Sequence, residues 1–146
     1  MKKADFYILA GADNESRQQF LGKLLNRIMR TELQVYLYCA DQFNAEKLSE
    51  LLWQFQATSF LANRLVTDEH KARISLGWPD QHKPSHRQVI INLTDHIPSD
   101  AAEFERIAEI VTQQPDSLLA SRERYKTYRS EGYEIQHNDM RSKPQR

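Results

Sequence analysis

The strongest constraint on the fold is a pattern that occurs twice in the first 55 residues. Each time, a short run of apolar, mostly aromatic or aliphatic residues is followed by a polar break and then by an amphipathic helical repeat. The two runs cover residues 4–9 and 34–39, and the predicted helices cover about 15–29 and 43–55. Two strand-then-helix units in succession predict an α/β fold with a parallel sheet and right-handed crossovers.

The rest of the chain is predicted to add two strands, at 74–76 and 89–93, and two helices, at 101–113 and 115–131. Gly132 is predicted to end the last helix, and residues 133–135 are predicted to form a short extended piece. The helix over 101–113 is predicted because Phe104, Ile107 and Val111 recur at helical spacing. Helix caps are predicted at Asp13 or Asn14, at Asp41, at Asp100, and at Asp116 or Ser117. We expect one α/β domain over residues 1–136 and a flexible polar tail over residues 137–146.

Composition excludes several classes of protein. Lys plus Arg and Asp plus Glu number 20 each, and this net charge of zero argues against a protein that coats nucleic acid over its whole surface. Cys39 is the only cysteine, so no intrachain disulfide can form, which fits a reducing compartment. No apolar run approaches the roughly 20 residues of a membrane span. We therefore expect a cytoplasmic protein without a membrane partner.

No catalytic or cofactor-binding signature is found. The chain has only four glycines, and the turn after the first predicted strand has neither a glycine-rich phosphate loop nor its lysine. His82 and His86 are four residues apart but flank Pro84, so no continuous helix presents them to one metal ion. Cys39 is interpreted as a small buried hydrophobe. We predict no catalytic residues, no cofactor and no metal site, and we favour a binding module over an enzyme.

A basic and aromatic stretch near the C-terminus is the best candidate binding site. On a helix, Arg122, Tyr125, Lys126 and Arg129 fall at i, i+3, i+4 and i+7 and share one face. One interpretation is an ordinary surface helix whose cations pair with neighbouring glutamates and whose tyrosines pack inward. The other is a binding site for an acidic peptide or a phosphate, in which Arg clamps a carboxylate and Tyr walls an apolar pocket.

A second feature is the pair Trp53 and Phe60, seven residues apart. Large aromatic residues are usually buried, so both residues are candidates for the core. The alternative is a hydrophobic patch that docks a partner, because aromatic residues are enriched at the centres of protein interfaces.

Six segments together carry a resemblance to a known family: residues 4–9, 48–53, 59–60, 78–79, 86–93 and 122–133. In their order and spacing, the chain resembles the chi subunits of the bacterial DNA polymerase III holoenzyme, which are accessory proteins of the clamp loader. The resemblance implies a Rossmann-like three-layer α/β sandwich, with a mostly parallel central sheet and no nucleotide-binding loop. It implies a non-catalytic subunit without a cofactor.

The resemblance also implies two binding faces. Arg122, Tyr125, Lys126 and Arg129 would bind the acidic C-terminal tail of the single-stranded-DNA-binding protein, which ends in a phenylalanine with a free carboxylate. Trp53 and Phe60 would bind the psi subunit, and DNA would be reached mostly indirectly. Two alternatives remain: a degenerate Rossmann-type nucleotide-utilising enzyme, and direct binding of single-stranded nucleic acid through Tyr125, Tyr128 and the nearby cations.

Overall fold

The computed structural model describes residues 2–54, 62–68, 72–79 and 83–141. Within these ranges the strands are β1 (Lys3–Ile8), β2 (Val35–Tyr38), β3 (Asn63–Leu65), β4 (Ile74–Gly77), β5 (Val89–Asn92), β6 (Arg106–Val111) and β7 (Glu134–Asp139). The helices are α1 (Asn14–Met29), α2 (Gln42–Gln54) and α3 (Pro115–Ser130), with a short 3₁₀ helix at Ala101–Glu103.

The strands form one sheet in the order β3-β4-β2-β5-β6-β1-β7, and the pairs are all parallel in the part of the chain that the structure describes. Ala4 lies opposite Ile107 in the pair of β1 and β6, and Val35 lies opposite Val89 in the pair of β2 and β5. Parallel strands are covered on both faces, so their sequences are nearly continuous apolar runs. The prediction of an α/β fold with a mostly parallel sheet is confirmed.

Two apolar clusters lie on opposite faces of the sheet. In β2, Val35 and Leu37 belong to the cluster that packs under α1 and α2, whereas Tyr36 belongs to the cluster that packs under α3 and the 3₁₀ helix. This alternation follows from the period of two in a strand. Among the described residues, the result is a three-layer sandwich, with α1 and α2 on one face of the sheet and α3 with the 3₁₀ helix on the other.

Three of the predicted helices are present, and two of their predicted caps are confirmed. The Asp13 carboxylate accepts a hydrogen bond from the Ser16 backbone N–H at 2.8 Å, and Asp41 does the same for Asn44 at 2.8 Å. The cap predicted at Asp116 or Ser117 is wrong, because α3 is capped by Gln114, whose side chain accepts from the Ser117 N–H at 2.8 Å. Pro115 then occupies the first turn, where a missing N–H costs nothing.

The helix predicted over residues 101–113 is wrong. Only the 3₁₀ turn at its start is helical, Asp100 makes no side-chain cap bond, and Arg106–Val111 is strand β6. The helical spacing of the apolar residues gave the wrong prediction because β6 is buried on both faces. Ile107 packs under α3, and Ile110 packs on the α1 and α2 side. Apolar residues on both faces of a strand also satisfy part of a helical repeat.

The C-terminal segment also differs from the prediction. Gly132 ends α3 with φ of 86°, as expected of a glycine break, but the extended piece after it is the six-residue strand β7. β7 pairs with β1 along its whole length, from Lys3 opposite Glu134 to Ile8 opposite Asp139. Residues 137–139 therefore belong to the sheet and not to a tail, while residues 142–146 lie outside the described part. The strand β3 was not predicted.

Candidate binding site beneath the last helix

A buried polar network fixes the orientation of α3. The Glu109 carboxylate, fully buried in β6, accepts hydrogen bonds from Arg124 Nε at 3.1 Å, Tyr128 Oη at 2.7 Å and Asn92 Nδ2 at 3.0 Å. Arg124 also donates to the Asp95 carbonyl at 2.9 Å. Arg124 and Tyr128 therefore face the sheet, and the rotation of α3 about its axis is set.

The same network shifts the ionisation of its members. Burial raises the pKa of Glu109, although the three donors around it favour the carboxylate and oppose that shift. Burial, followed by the adjacent Glu109 charge, raises the pKa of Tyr128. The Tyr128 hydroxyl donates its hydrogen to Glu109, and with 1% of its surface exposed the tyrosine has almost no surface to offer a ligand.

With Arg124 and Tyr128 turned inward, the neighbouring side chains of α3 line a cavity of about 240 Å³ between α3 and the strands β1, β6 and β7. We call it the α3 cavity. Its apolar floor is formed by Phe6, Ile8, Val111 and Leu118. The α3 side carries Ser121, Arg122 and Tyr125, and the β7 side carries His137 and Arg141.

Aromatic rings form the inner wall of the α3 cavity. Phe6 meets Tyr125 edge-on, with ring centroids 6.0 Å apart and planes at 73°. The His137 ring lies 5.2 Å from Tyr125 and 5.8 Å from Phe6. The edge-to-face pair of Phe6 and Tyr125 is a favourable arrangement, and a further aromatic ring could pack against the cluster in the same way.

The four residues predicted to bind an acidic tail are divided by the structure. Arg122 and Tyr125 line the α3 cavity, with Arg122 exposed and Tyr125 half-buried. Lys126 and Arg129 are exposed on α3 but are not among the residues lining the cavity. Lys126 Nζ lies 3.5 Å from the exposed carboxylate of Glu123. Tyr128 packs inward and Lys126 pairs with Glu123, as the surface-helix interpretation predicts. Arg122 lines the α3 cavity, and its binding of an acidic peptide stays a prediction.

The cavity residues outside α3 were missed by the sequence analysis. Phe6 and Ile8 are recognisable only as apolar positions of β1, and nothing local shows which face they occupy. His137 and Arg141 were assigned to a polar tail. Their contribution depends on the parallel pairing of β7 with β1, which is a contact between residues more than 130 positions apart in the chain.

The second predicted face lies on the other side of the sheet. Trp53 is 43% exposed near the end of α2, whose buried residues pack in the opposite apolar cluster from α3. Phe60 lies outside the described residues. Phe43, also on α2, is 65% exposed, with Lys47 Nζ 5.1 Å from its ring centre. The Trp53 side chain is therefore not buried in the core, so the interpretation of Trp53 as a core residue is wrong. Its interpretation as a docking residue stays a prediction.

Other candidate groups are accounted for by packing. Cys39 is 3% exposed, and burial raises the pKa of its thiol to about 12, so it behaves as a small hydrophobe.

Among the described residues, no three His, Cys, Asp or Glu side chains are grouped closely enough to hold a metal ion. The described helices likewise include none with the length and apolar character needed to cross a bilayer.

In the described parts of the chain, the parallel seven-stranded sheet and the three helices that cover its two faces define a Rossmann-like α/β protein. Comparison with known families then gives a specific match: the profile described as "DNA polymerase III chi subunit, HolC" matches residues 1–136. The chain belongs to this family, and it is an accessory protein of DNA replication.

Individual relatives agree with the family match. The chain is 34% identical to DNA polymerase III subunit chi of Pseudomonas aeruginosa, over 93% of this chain and 95% of that one. It is 28% identical to the protein of the same name from Escherichia coli K12, over 92% and 96% of the two chains. The corresponding figures for Haemophilus influenzae are 26%, 92% and 94%.

Proposed function

We propose that this chain is a non-catalytic adaptor that joins the polymerase III clamp loader, through the psi subunit, to single-stranded-DNA-binding protein. The contact with the latter is made by its acidic C-terminal tail, whose last residue is a phenylalanine with a free carboxylate. The observation that carries the proposal is the α3 cavity, which combines an apolar, aromatic-walled floor with an exposed arginine at its edge.

The size of the α3 cavity supports a ligand of one side chain. At about 240 Å³ it is smaller than the roughly 300–1,000 Å³ of typical small-molecule sites. A phenylalanine ring would add to the edge-to-face cluster of Phe6 and Tyr125. The terminal carboxylate of the same residue would then lie near Arg122, whose guanidinium can bind a carboxylate through two parallel hydrogen bonds.

Lys126 and Arg129 would attract the acidic residues that precede the phenylalanine in the tail. Both are exposed on α3 beyond the cavity, at one and about two turns from Arg122. They would attract aspartates of the tail as screened surface charges, which increase the association rate more than the final affinity. Binding should therefore weaken as salt is added, because the screening length at physiological ionic strength is about 8 Å.

The structure gives less support to the two alternatives. A phosphate bound after β1 would need the N-terminus of α1, where the Asp13 carboxylate already accepts the Ser16 N–H. Gly11 is explained by packing, since a Cβ there would lie 2.5 Å from Ser16 Oγ. Direct stacking of bases on Tyr125 and Tyr128 fails because Tyr128 is 1% exposed and bonded to Glu109.

For the psi subunit, we propose the α2 face around Trp53, with Phe60 as the second residue. The exposure of Trp53 and of Phe43 on the same helix supports this, because aromatic residues with much exposed surface are common anchors of interfaces. This face and the α3 cavity are on opposite faces of the sheet, so one chain could hold both partners at once. Trp53→Ala should abolish co-purification of psi while leaving tail binding unchanged.

The test of the tail site is calorimetry with a synthetic acidic peptide that ends in phenylalanine. Arg122→Ala should lower the affinity by about 10- to 150-fold, the equivalent of about 1.5–3 kcal/mol for a charge-assisted contact. Arg30→Ala is the matched control, because Arg30 is exposed at the end of α1 on the other face of the sheet. A peptide without its last phenylalanine should not bind. Equal affinity of the Arg122 and Arg30 variants would refute the proposal.

A further inference from the structure

Arg141 is placed at the α3 cavity by the sheet. β7 runs parallel to β1 as far as the pair Ile8 and Asp139, and the Met140 N–H then donates to the Ile8 carbonyl at 2.8 Å. Arg141 follows directly, at the carboxyl ends of these strands. This is also the edge of the sheet from which α3 starts after β6, so Arg141 and Arg122 line the same cavity from two sides. Of the described arginines and lysines, these two are the ones that line it.

The Arg141 guanidinium is engaged by a carboxylate from its own chain. Arg141 Nε donates to Asp139 Oδ1 at 2.9 Å, and Nη2 donates to Oδ2 at 2.7 Å. The Arg141 backbone N–H also donates to Asp139 Oδ1, at 3.0 Å. Two parallel N–H···O bonds are the geometry in which arginine binds any free carboxylate, including that of a peptide C-terminus.

We propose that Arg141 is a second binding residue for the ligand's terminal carboxylate, and that Asp139 is an internal competitor which holds Arg141 when the cavity is empty. This inference rests on the proposed function. The pair is about half exposed, with 53% and 48% of the two side chains accessible, so water and salt weaken it. A carboxylate that also places its aromatic ring in the cavity has additional binding energy and displaces Asp139.

The consequence is selectivity for a chain end. An internal aspartate of an acidic peptide offers a carboxylate without the adjoining ring, so it gains little against Asp139, which the chain already holds beside Arg141. A C-terminal phenylalanine offers both groups from one residue, and it can meet Arg122 and Arg141 together. Asp139 thereby suppresses binding of acidic segments that lack this end.

The experiment uses two synthetic peptides that are identical except that one ends in a free carboxylate and the other in an amide. Their affinities are measured by calorimetry for the whole protein and for Arg141→Gln, Asp139→Asn and the double variant. Arg141→Gln should weaken the free-acid peptide by about five- to tenfold and the amide by less than twofold. Asp139→Asn should tighten the free-acid peptide by about two- to fivefold, and this gain should vanish in the double variant.

The possible results distinguish a failure of the proposed function from a failure of the inference about Arg141 and Asp139. If the unmodified protein binds neither peptide, the proposed function fails and this inference fails with it. If it prefers the free acid but Arg141→Gln weakens both peptides equally, or neither, Arg141 does not contact the carboxylate and only this inference is overturned. If Asp139→Asn tightens binding equally with and without Arg141, Asp139 acts as a general negative charge and not as a competitor. Asp139→Asn alone tests the idea if Arg141→Gln does not fold.

Discussion

Glu109→Gln should strongly destabilise the fold. Glu109 is fully buried and accepts hydrogen bonds from three donors, of which Arg124 is a cation only 5% exposed. Glutamine has the same shape, but it removes the negative charge and turns one acceptor into a donor. Whichever way the amide is turned, its NH2 group faces a donor, either Arg124 or the pair Tyr128 and Asn92, and Arg124 loses its anionic partner. Leaving a buried charge without its partner costs about 3–5 kcal/mol.

The assay is urea unfolding followed by far-UV circular dichroism. With a slope of about 2 kcal/mol/M, within the range for small proteins, the midpoint should fall by about 1.5–2.5 M. The matched control is Glu103→Gln, which removes an exposed glutamate that pairs with Lys83 and should change the midpoint very little. A Glu109→Gln midpoint within about 0.5 M of the unmodified protein would refute the reasoning.

Replacing the whole network shows whether Glu109→Gln destabilises the fold by leaving a buried charge unpaired or only by removing contacts. Glu109→Leu combined with Arg124→Met and Tyr128→Phe removes the carboxylate and two of its donors together. Asn92 Nδ2 would retain its bond to the His96 carbonyl at 2.8 Å. Apolar replacement of a buried ion pair is often neutral or stabilising, so most of the lost stability should return. A triple variant less stable than Glu109→Gln would contradict this explanation.

Three further predictions concern single positions. Gly132→Ala should cost about 1–2 kcal/mol in urea unfolding because φ is 86°, while Gly132→Asn should cost less because asparagine tolerates this region; equal costs would contradict the backbone explanation. Cys39 should resist a thiol reagent at pH 8 and react in urea, since burial raises its pKa to about 12; rapid labelling of the folded protein would show the thiol to be accessible. The hydrogen bonds from Ser16 lower the pKa of Asp13 below its unfolded value. Asp13 therefore stabilises the fold above its unfolded pKa, and this stabilisation is lost as the pH falls through the lower folded pKa. Compared with Asp13→Asn, the unmodified protein should lose stability in acid unfolding below about pH 4. An unchanged difference between pH 7 and pH 2.5 would contradict the linkage.

The fold was largely predictable where local patterns agree with tertiary structure. β1, α1, β2 and α2 each combine a suitable residue pattern with a turn or cap, such as Asp13 before α1. β6 was not predictable in this way, because it is buried on both faces and its apolar residues match a helical repeat as well. Only the first residues of β7 were predicted to be extended, because β7 is an edge strand with exposed polar residues and no apolar run. It is stabilised by pairing with β1 and not by its own sequence.

The lining of the α3 cavity was predictable only on its helical side. The spacing of Arg122 and Tyr125 placed them on one face of α3, and the structure keeps them together. Spacing alone could not separate them from Lys126 and Arg129, because the rotation of α3 is set by Glu109, a residue of a different element. The strand side of the cavity, with His137 and Arg141, follows from long-range pairing that no local pattern records.

The most direct test of the central claim is to map where an acidic, phenylalanine-terminated peptide binds. In a nuclear magnetic resonance titration of the isotope-labelled protein, the largest shifts should occur at the α3 cavity, including Phe6, Arg122, Tyr125 and His137. Signals of Trp53 on the opposite face should stay unchanged, and the amidated peptide should produce weaker shifts. Shifts centred on α2, or no saturable shifts at all, would contradict the assignment of the α3 cavity as the tail-binding site.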